Sequence, residues 1–154
     1  MIQRIQSLYI AVVVMLSTLM LYGNIVTFVG TGGAEYEIRY NGLYTLSGGA
    51  GVKTEPLLPL TVLLLVVPVL SFVTLLLFKR RKLQMRTSIL SLMLLLGTVV
   101  LLAYFIFYII TKFDTRVIFS VKIIFPVVSS ILMYLAFRGV LKDELLVRSY
   151  DRLR

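Results

Sequence analysis

Four apolar stretches, at residues 8–29, 57–78, 89–111 and 117–137, constrain this chain more than any other feature. Each has the ~20-residue length needed to cross a ~30 Å hydrocarbon core. In lipid the backbone must satisfy its own polar groups, which favours helices over open strands. With 59% hydrophobic and 15% charged residues, the chain departs far from the ~45–50% apolar and ~25% charged of soluble domains. The expected fold is an all-α membrane protein of four antiparallel transmembrane helices. It forms a single integral membrane domain over 1–154, with an outer loop at 30–56, a cytoplasmic loop at 79–88 and a cytoplasmic tail at 138–154. The first run exceeds the ~7–15-residue core of a signal peptide and lacks an Ala-x-Ala-like site, so it reads as a retained anchor.

Basic residues set the expected orientation. Lys79, Arg80, Arg81, Lys82 and Arg86 crowd one connection, Arg4 precedes the first run, and Arg138, Lys142, Arg148, Arg152 and Arg154 follow the last. That places eleven of sixteen Lys and Arg on one side, so both termini and the basic loop are expected in the cytoplasm. This rule absorbs most of the +9 net charge, and no nucleic-acid partner is implied. Lys79, Arg80, Arg81, Lys82 and Arg86 are the expected contacts for anionic lipid head groups, at about 1 kcal/mol each.

The outer loop carries one local signal. Tyr36, Ile38 and Tyr40 alternate with Glu35, Glu37 and Arg39, the period-two pattern of a half-buried strand. Asn41-Gly42 then suggests a type I′ hairpin turn, with strands near 35–40 and 43–47. A hairpin is marginal alone in water, so it is expected to lie on the outer helix ends.

Chemistry is sparse. Cysteine and histidine are absent, which excludes disulfides, thiol nucleophiles and Cys/His zinc sites. No cofactor, metal site or catalytic constellation is expected. Lys122 is the charge set well inside an apolar run, about 7–8 Å along a helix from Val117. Its stem can snorkel to the outer interface. Alternatively it lines an intramembrane site with Asp114 as its partner, beside a kink at Pro126 that frees its carbonyl. Pro68 should similarly free the Leu64 carbonyl, and the small and hydroxylated positions of the spans suit close helix packing.

The tail "LKDELLVRSYDRLR" mixes four basic and three acidic residues among leucines. At helical spacing Leu146, Tyr150 and Leu153 form one apolar line. Glu144 and Arg148 make an i,i+4 pair worth ~0.2–0.5 kcal/mol. The fourth span is therefore expected to continue, after a bend at Gly139, into a cytoplasmic amphipathic helix. Lipid attraction asks only for basic residues, whereas mixed charge suits a protein surface. Lys142, Asp143, Glu144, Leu146, Arg148, Tyr150, Asp151, Arg152, Leu153 and Arg154 are the candidate partner-binding set.

The start, Met1 to Tyr9, and the end, with Lys142-Asp143-Glu144, Leu146-Val147-Arg148-Ser149 and Asp151 to Arg154, resemble an uncharacterised family of small four-span inner-membrane proteins from Bacteroidota. The Lys82-Leu83-Gln84 segment of the basic loop fits the same pattern. The resemblance implies a bacterial inner membrane and supplies no activity, cofactor or site residue. Four spans with a strand-bearing first outer loop are also similar to the claudin-like layout, although the cysteine pair of that group is missing. The expected function is a non-enzymatic accessory or scaffold protein, with membrane lipid and a protein as partners. The alternative is a small transport or lipid-handling protein using the Lys122/Pro126 region.

The topology has a direct test, because no native cysteine interferes. A membrane-impermeant thiol reagent on intact cells should label a cysteine introduced at Ser47 and spare one at Ser149. Labelling at position 149 would refute the orientation.

Overall fold

The computed structural model describes residues 2–30, 33–47 and 50–151. Four helices account for most of them: α1 (Ile2–Leu19), α2 (Leu58–Leu76), α3 (Arg81–Phe113) and α4 (Phe125–Asp151). Five strands form one antiparallel sheet: β1 (Asn24–Gly30), β2 (Glu35–Arg39), β3 (Gly42–Ser47), β4 (Ala50–Glu55) and β5 (Thr115–Ile118), in the order β4-β3-β2-β1-β5. The expected hairpin is thus two strands of a larger sheet, and its neighbours supply the support a lone hairpin lacks.

Both ends of the apolar pattern need correction. The first stretch, 8–29, is not one helix. α1 ends at Leu19, and the chain then passes Gly23 at φ +68, a left-handed conformation, before it extends. The run Ile25-Val26-Thr27-Phe28-Val29 then pairs on both sides as the fourth strand in spatial order. The last stretch, 117–137, opens as β5, passes through a 3-10 turn at Val121–Ile124, and becomes helical at Phe125. Pro126 therefore sits in the first turn of α4, where a missing N–H costs nothing, rather than at an internal kink. The Lys122 carbonyl is not freed either, since it accepts the Phe125 N–H.

The loop expected at 79–88 is mostly helix. Lys, Leu, Gln, Met and Arg are good helix formers with no Gly or Pro among them, so Arg81, Lys82 and Arg86 belong to α3. The hairpin turn is displaced by one residue. Arg39 pairs with Gly42, leaving Tyr40 and Asn41 as the loop, and Asn41 lacks the positive φ of a type I′ turn. Gly42 answers a different need: a Cβ there would stand 2.6 Å from the Glu55 carbonyl oxygen.

Two apolar cores follow from this layout. One joins sheet to helices, with Met20, Ile25, Val26, Phe28, Ile38, Leu43, Leu60 and Ile109 among its buried members. The other lies deeper in the bundle, where Ile10 and Val13 of α1 meet Val67, Leu95, Met133 and Ala136. α1 packs on α2 and α4, and α3 packs on the same two helices. Gly139 lies within the continuous α4 rather than at its end, and a Cβ there would come within 2.8 Å of Gln6 Cγ. Its role is close approach to α1.

The outward faces are apolar, with Val62, Val69, Met93, Val100, Phe107 and Ile131 all more than half exposed. α2, α3 and the segment Val121–Lys142 are long and apolar enough to cross a membrane. In water such faces would be a liability, and in lipid they are the solvent-facing surface.

If the sheet-to-helix core organises the fold, Phe28→Ala should destabilise by about 3–5 kcal/mol. The exposed Phe119→Ala should change stability by less than about 0.5 kcal/mol. Reversible unfolding in mixed detergent micelles measures both, and equal effects would show that the sheet does not share the helical core.

Candidate functional site

The charged residues near the junction of sheet and bundle define the first candidate region. Lys122 lies in the 3-10 turn between β5 and α4, and its ammonium donates to the carbonyl of Tyr22. That carbonyl follows the end of α1, in the turn closed by Leu21 N–H to Thr18 and Tyr22 N–H to Leu19. A lysine from a segment a hundred positions away therefore ties down the turn that follows α1. Gly23 gives it room, since a Cβ there would sit 3.2 Å from Lys122 Nζ.

The expected partner of Lys122 stands elsewhere. Asp114 ends α3 in a left-handed conformation, at φ 43, with its side chain exposed. Among the described residues the ion pairs are Arg39 with Glu37 and Lys112 with Glu55, and Asp114 is in neither. The structure thus brings Lys122 to a backbone oxygen and leaves Asp114 apart from it.

Lys112 and Glu55 were missed as a pair. Glu55 closes β4 and Lys112 stands in the last turn of α3, so their contact bridges the sheet and a long helix. Lys112 also donates to the Tyr108 hydroxyl at 3.0 Å. Its ammonium lies over the rings of Tyr108 and Phe113 at 5.2 and 5.3 Å. On the sheet, Arg39 donates through Nε and Nη2 to Glu37 at 3.1 and 2.9 Å, and its guanidinium lies over Tyr44. The available signal was only that these charges share one end of the molecule, which does not pair them.

Inside the bundle, hydroxyl groups back-bond to their own helices: Ser17 to Val13, Thr74 to Leu70, Ser88 to Gln84, Thr98 to Leu94 and Ser130 to Pro126. Such bonds hide the hydroxyl and let helices close up, whereas the buried hydroxyls of Ser71, Ser91 and Ser129 have no hydrogen-bond partner among the described residues. A cavity of about 10 Å3 lies among Ser17, Met20, Leu64, Val67, Leu95, Thr98, Pro126 and Ser129. That is room for about one water, and Lys122 is not in its wall.

The opposite end is basic. Arg80, Lys82 and Arg86 are exposed, Arg81 is half-buried, and exposed Arg138 lies 6.0 Å from the Tyr134 ring centre. Lys142 is exposed on α4. The tail backbone is helical through Asp151, continuous with the span. Arg152, Leu153 and Arg154 lie outside the described residues, as do the side chains of Lys79, Asp143, Glu144, Leu146, Arg148, Tyr150 and Asp151.

The Lys122 contact makes a quantitative prediction. Lys122→Leu should cost about 1 kcal/mol by removing this hydrogen bond, while Lys122→Arg keeps a donor and most of the stability. Gly23→Ala should cost about 1–2 kcal/mol through its positive φ. Thermal unfolding in detergent would measure these, and a Lys122→Leu protein that melts with the wild type would show that the contact does not hold the turn.

A family model described as a domain of unknown function (DUF4293) matches residues 2–153. The chain belongs to that family. No curated protein matches it.

Proposed function

We propose that this member of the DUF4293 family is a bacterial inner-membrane protein of four crossings that serves as a non-enzymatic accessory or scaffold subunit. Its docking element is the helical extension beyond Lys142, with the basic end of α3 beside it. Both termini and this basic end face the cytoplasm, and the sheet faces outward.

The observation that carries the proposal is the continuity of α4. One helix runs from Phe125 to Asp151, through the apolar span and into the mixed-charge tail. Gly139 meets Gln6 of the oppositely directed α1, which begins only four residues earlier at Ile2. By that register α4 passes the start of α1 near residue 143. Its last two turns extend about 12 Å beyond, at 1.5 Å per residue. A helix that projects from a membrane bundle with mixed charge is suited to register-specific docking on a protein.

A fourth crossing by α1 is supported by its surface. Its apolar part, Ile5–Leu19, spans about 22 Å, shorter than the ~30 Å hydrocarbon core, so this crossing draws on the residues that flank it as well. Ile5, Leu8, Met15 and Leu19 on its outer side are 43–64% exposed and wholly apolar. A bundle helix facing water would carry polar residues there. The transport alternative would use the Lys122/Pro126 region, where Pro126 but not Lys122 lines a cavity of about 10 Å3.

The test is a native pull-down from the host membrane with the wild type and an Asp143→Lys, Asp151→Lys variant. The variant should insert normally and lose a co-purifying protein. If it keeps every wild-type partner and binds anionic vesicles more tightly, the tail is a lipid anchor and the docking proposal is wrong.

A further inference from the structure

We propose that the outer face of α3 at its sheet end binds one phospholipid with a primary-ammonium head group, phosphatidylethanolamine being the type case. The inference rests on α3 crossing the membrane, with Lys112 at the level of the membrane surface. Tyr104, Phe107, Tyr108, Thr111 and Lys112 line an open cleft of about 300 Å3. They follow the i, i+3, i+4, i+7, i+8 stripe of a single helix face.

The cleft is polar at one end and aromatic at the other. From Lys112 to Tyr104 is eight residues, or about 12 Å along the helix. At the upper end stand the Lys112 ammonium, the Glu55 carboxylate and the Tyr108 hydroxyl. Below them the Tyr104 and Tyr108 rings stack at 6.4 Å with an interplanar angle of 15°, and Phe107 projects outward with 72% exposure. A lipid laid along this stripe puts its acyl chain on the rings and its head group at the ion pair.

The paired charges select the head group. Lys112 and the Tyr108 hydroxyl can donate to a phosphate, and Glu55 can accept from an ammonium that carries N–H groups. An anionic head group without an amine leaves Glu55 facing like charge. A choline has no N–H to offer. Both Lys112 and Glu55 keep about a third of their side-chain surface exposed, so a lipid head group can reach them without opening the core. Interfacial tyrosines that merely anchor a helix would show no such preference.

The natural chain has no tryptophan, which gives a clean optical test. Phe107→Trp is reconstituted in phosphatidylcholine vesicles containing a minor fraction of lipid brominated on its acyl chain. Val100→Trp, on the same helix but outside the cleft, serves as control. Brominated phosphatidylethanolamine should quench Trp at 107 with about threefold higher apparent affinity than brominated phosphatidylcholine or phosphatidylglycerol, the scale of one exposed ion pair. At position 100 the three lipids should quench alike. Adding Lys112→Gln and Glu55→Gln should abolish the preference at 107 while quenching persists. Equal quenching at 107 by all three lipids overturns the site, and so does a preference that survives in the double variant. Loss of all quenching at 107 with normal quenching at 100 means that the face is closed to lipid, which also overturns the site. Absence of quenching at position 100 means that α3 does not face lipid, and the membrane reading falls with the site.

Discussion

The pairing of β1 with β5 is the contact on which the rest of the arrangement depends. Thr27, Phe28, Val29 and Gly30 face Ile118, Val117, Arg116 and Thr115 in an antiparallel ladder. β1 continues from α1, and β5 joins α3 to α4. Because the two strands share one sheet, the end of α1, the end of α3 and the start of α4 must lie together. The start of α2 joins them through β4. The helices then alternate in direction, and the basic residues of the α2–α3 connection collect with the end of α4 away from the sheet. A four-residue strand such as β5 could not hold this order alone. Phe28 and Val117, both in the sheet-to-helix core, anchor it.

Once that end is set, the polar contacts around it have simple causes. The segment leaving β5 must pass the end of α1 to begin α4, which carries Lys122 to the carbonyl of Tyr22. The strand leaving the sheet for α2 carries Glu55 toward the end of α3, where Lys112 meets it. Lys122 thus meets a backbone oxygen in the turn after α1, and Lys112 meets a side-chain carboxylate at the end of β4. Within the apolar bundle no hydrophobic gradient draws helices together, and close approach with hydroxyls turned onto their own backbone takes its place. Gly139 against Gln6 is the tightest example, because any Cβ would overlap the glutamine side chain.

What could be read from the chain followed from how local each signal was. The β2–β3 hairpin was visible because alternation and a turn dipeptide both lie within about a dozen residues. β1 was hidden by its surroundings: five apolar residues directly after an apolar helix add to the same hydropathy run. The clue was composition, since Ile25 to Val29 is β-branched or aromatic throughout and follows Gly23-Asn24. β5 offered less, as four residues between two spans carry no period. Pro126 and Lys122 take other roles than the apolar run suggests, because α4 starts at Phe125, eight residues after that run begins. With the start at Phe125, proline is a helix opener and lysine belongs to the turn before it. The Lys122 contact with Tyr22 could not be foreseen, because a backbone oxygen leaves no mark in the sequence. The Glu55–Lys112 pair joins residues 57 positions apart, and nothing but the folded register matches them.

The continuity of α4 also changes the energetics of whatever meets its tail. A disordered segment of ten residues must lose roughly 1–2 kcal/mol of backbone entropy for each residue it orders on binding. A segment already wound as the extension of a packed helix has lost most of that on folding. The anchoring comes from upstream: Met133 and Ala136 are fully buried in the bundle, and Val140 nearly so. The nucleation cost that makes short helices marginal in water is therefore met inside the membrane portion, and the charged turns beyond it propagate from an existing helix. This accounts for how a stretch too polar for lipid and too short to fold alone can be helical. The extension begins just beyond the Gly139–Gln6 contact, where α4 passes close to α1.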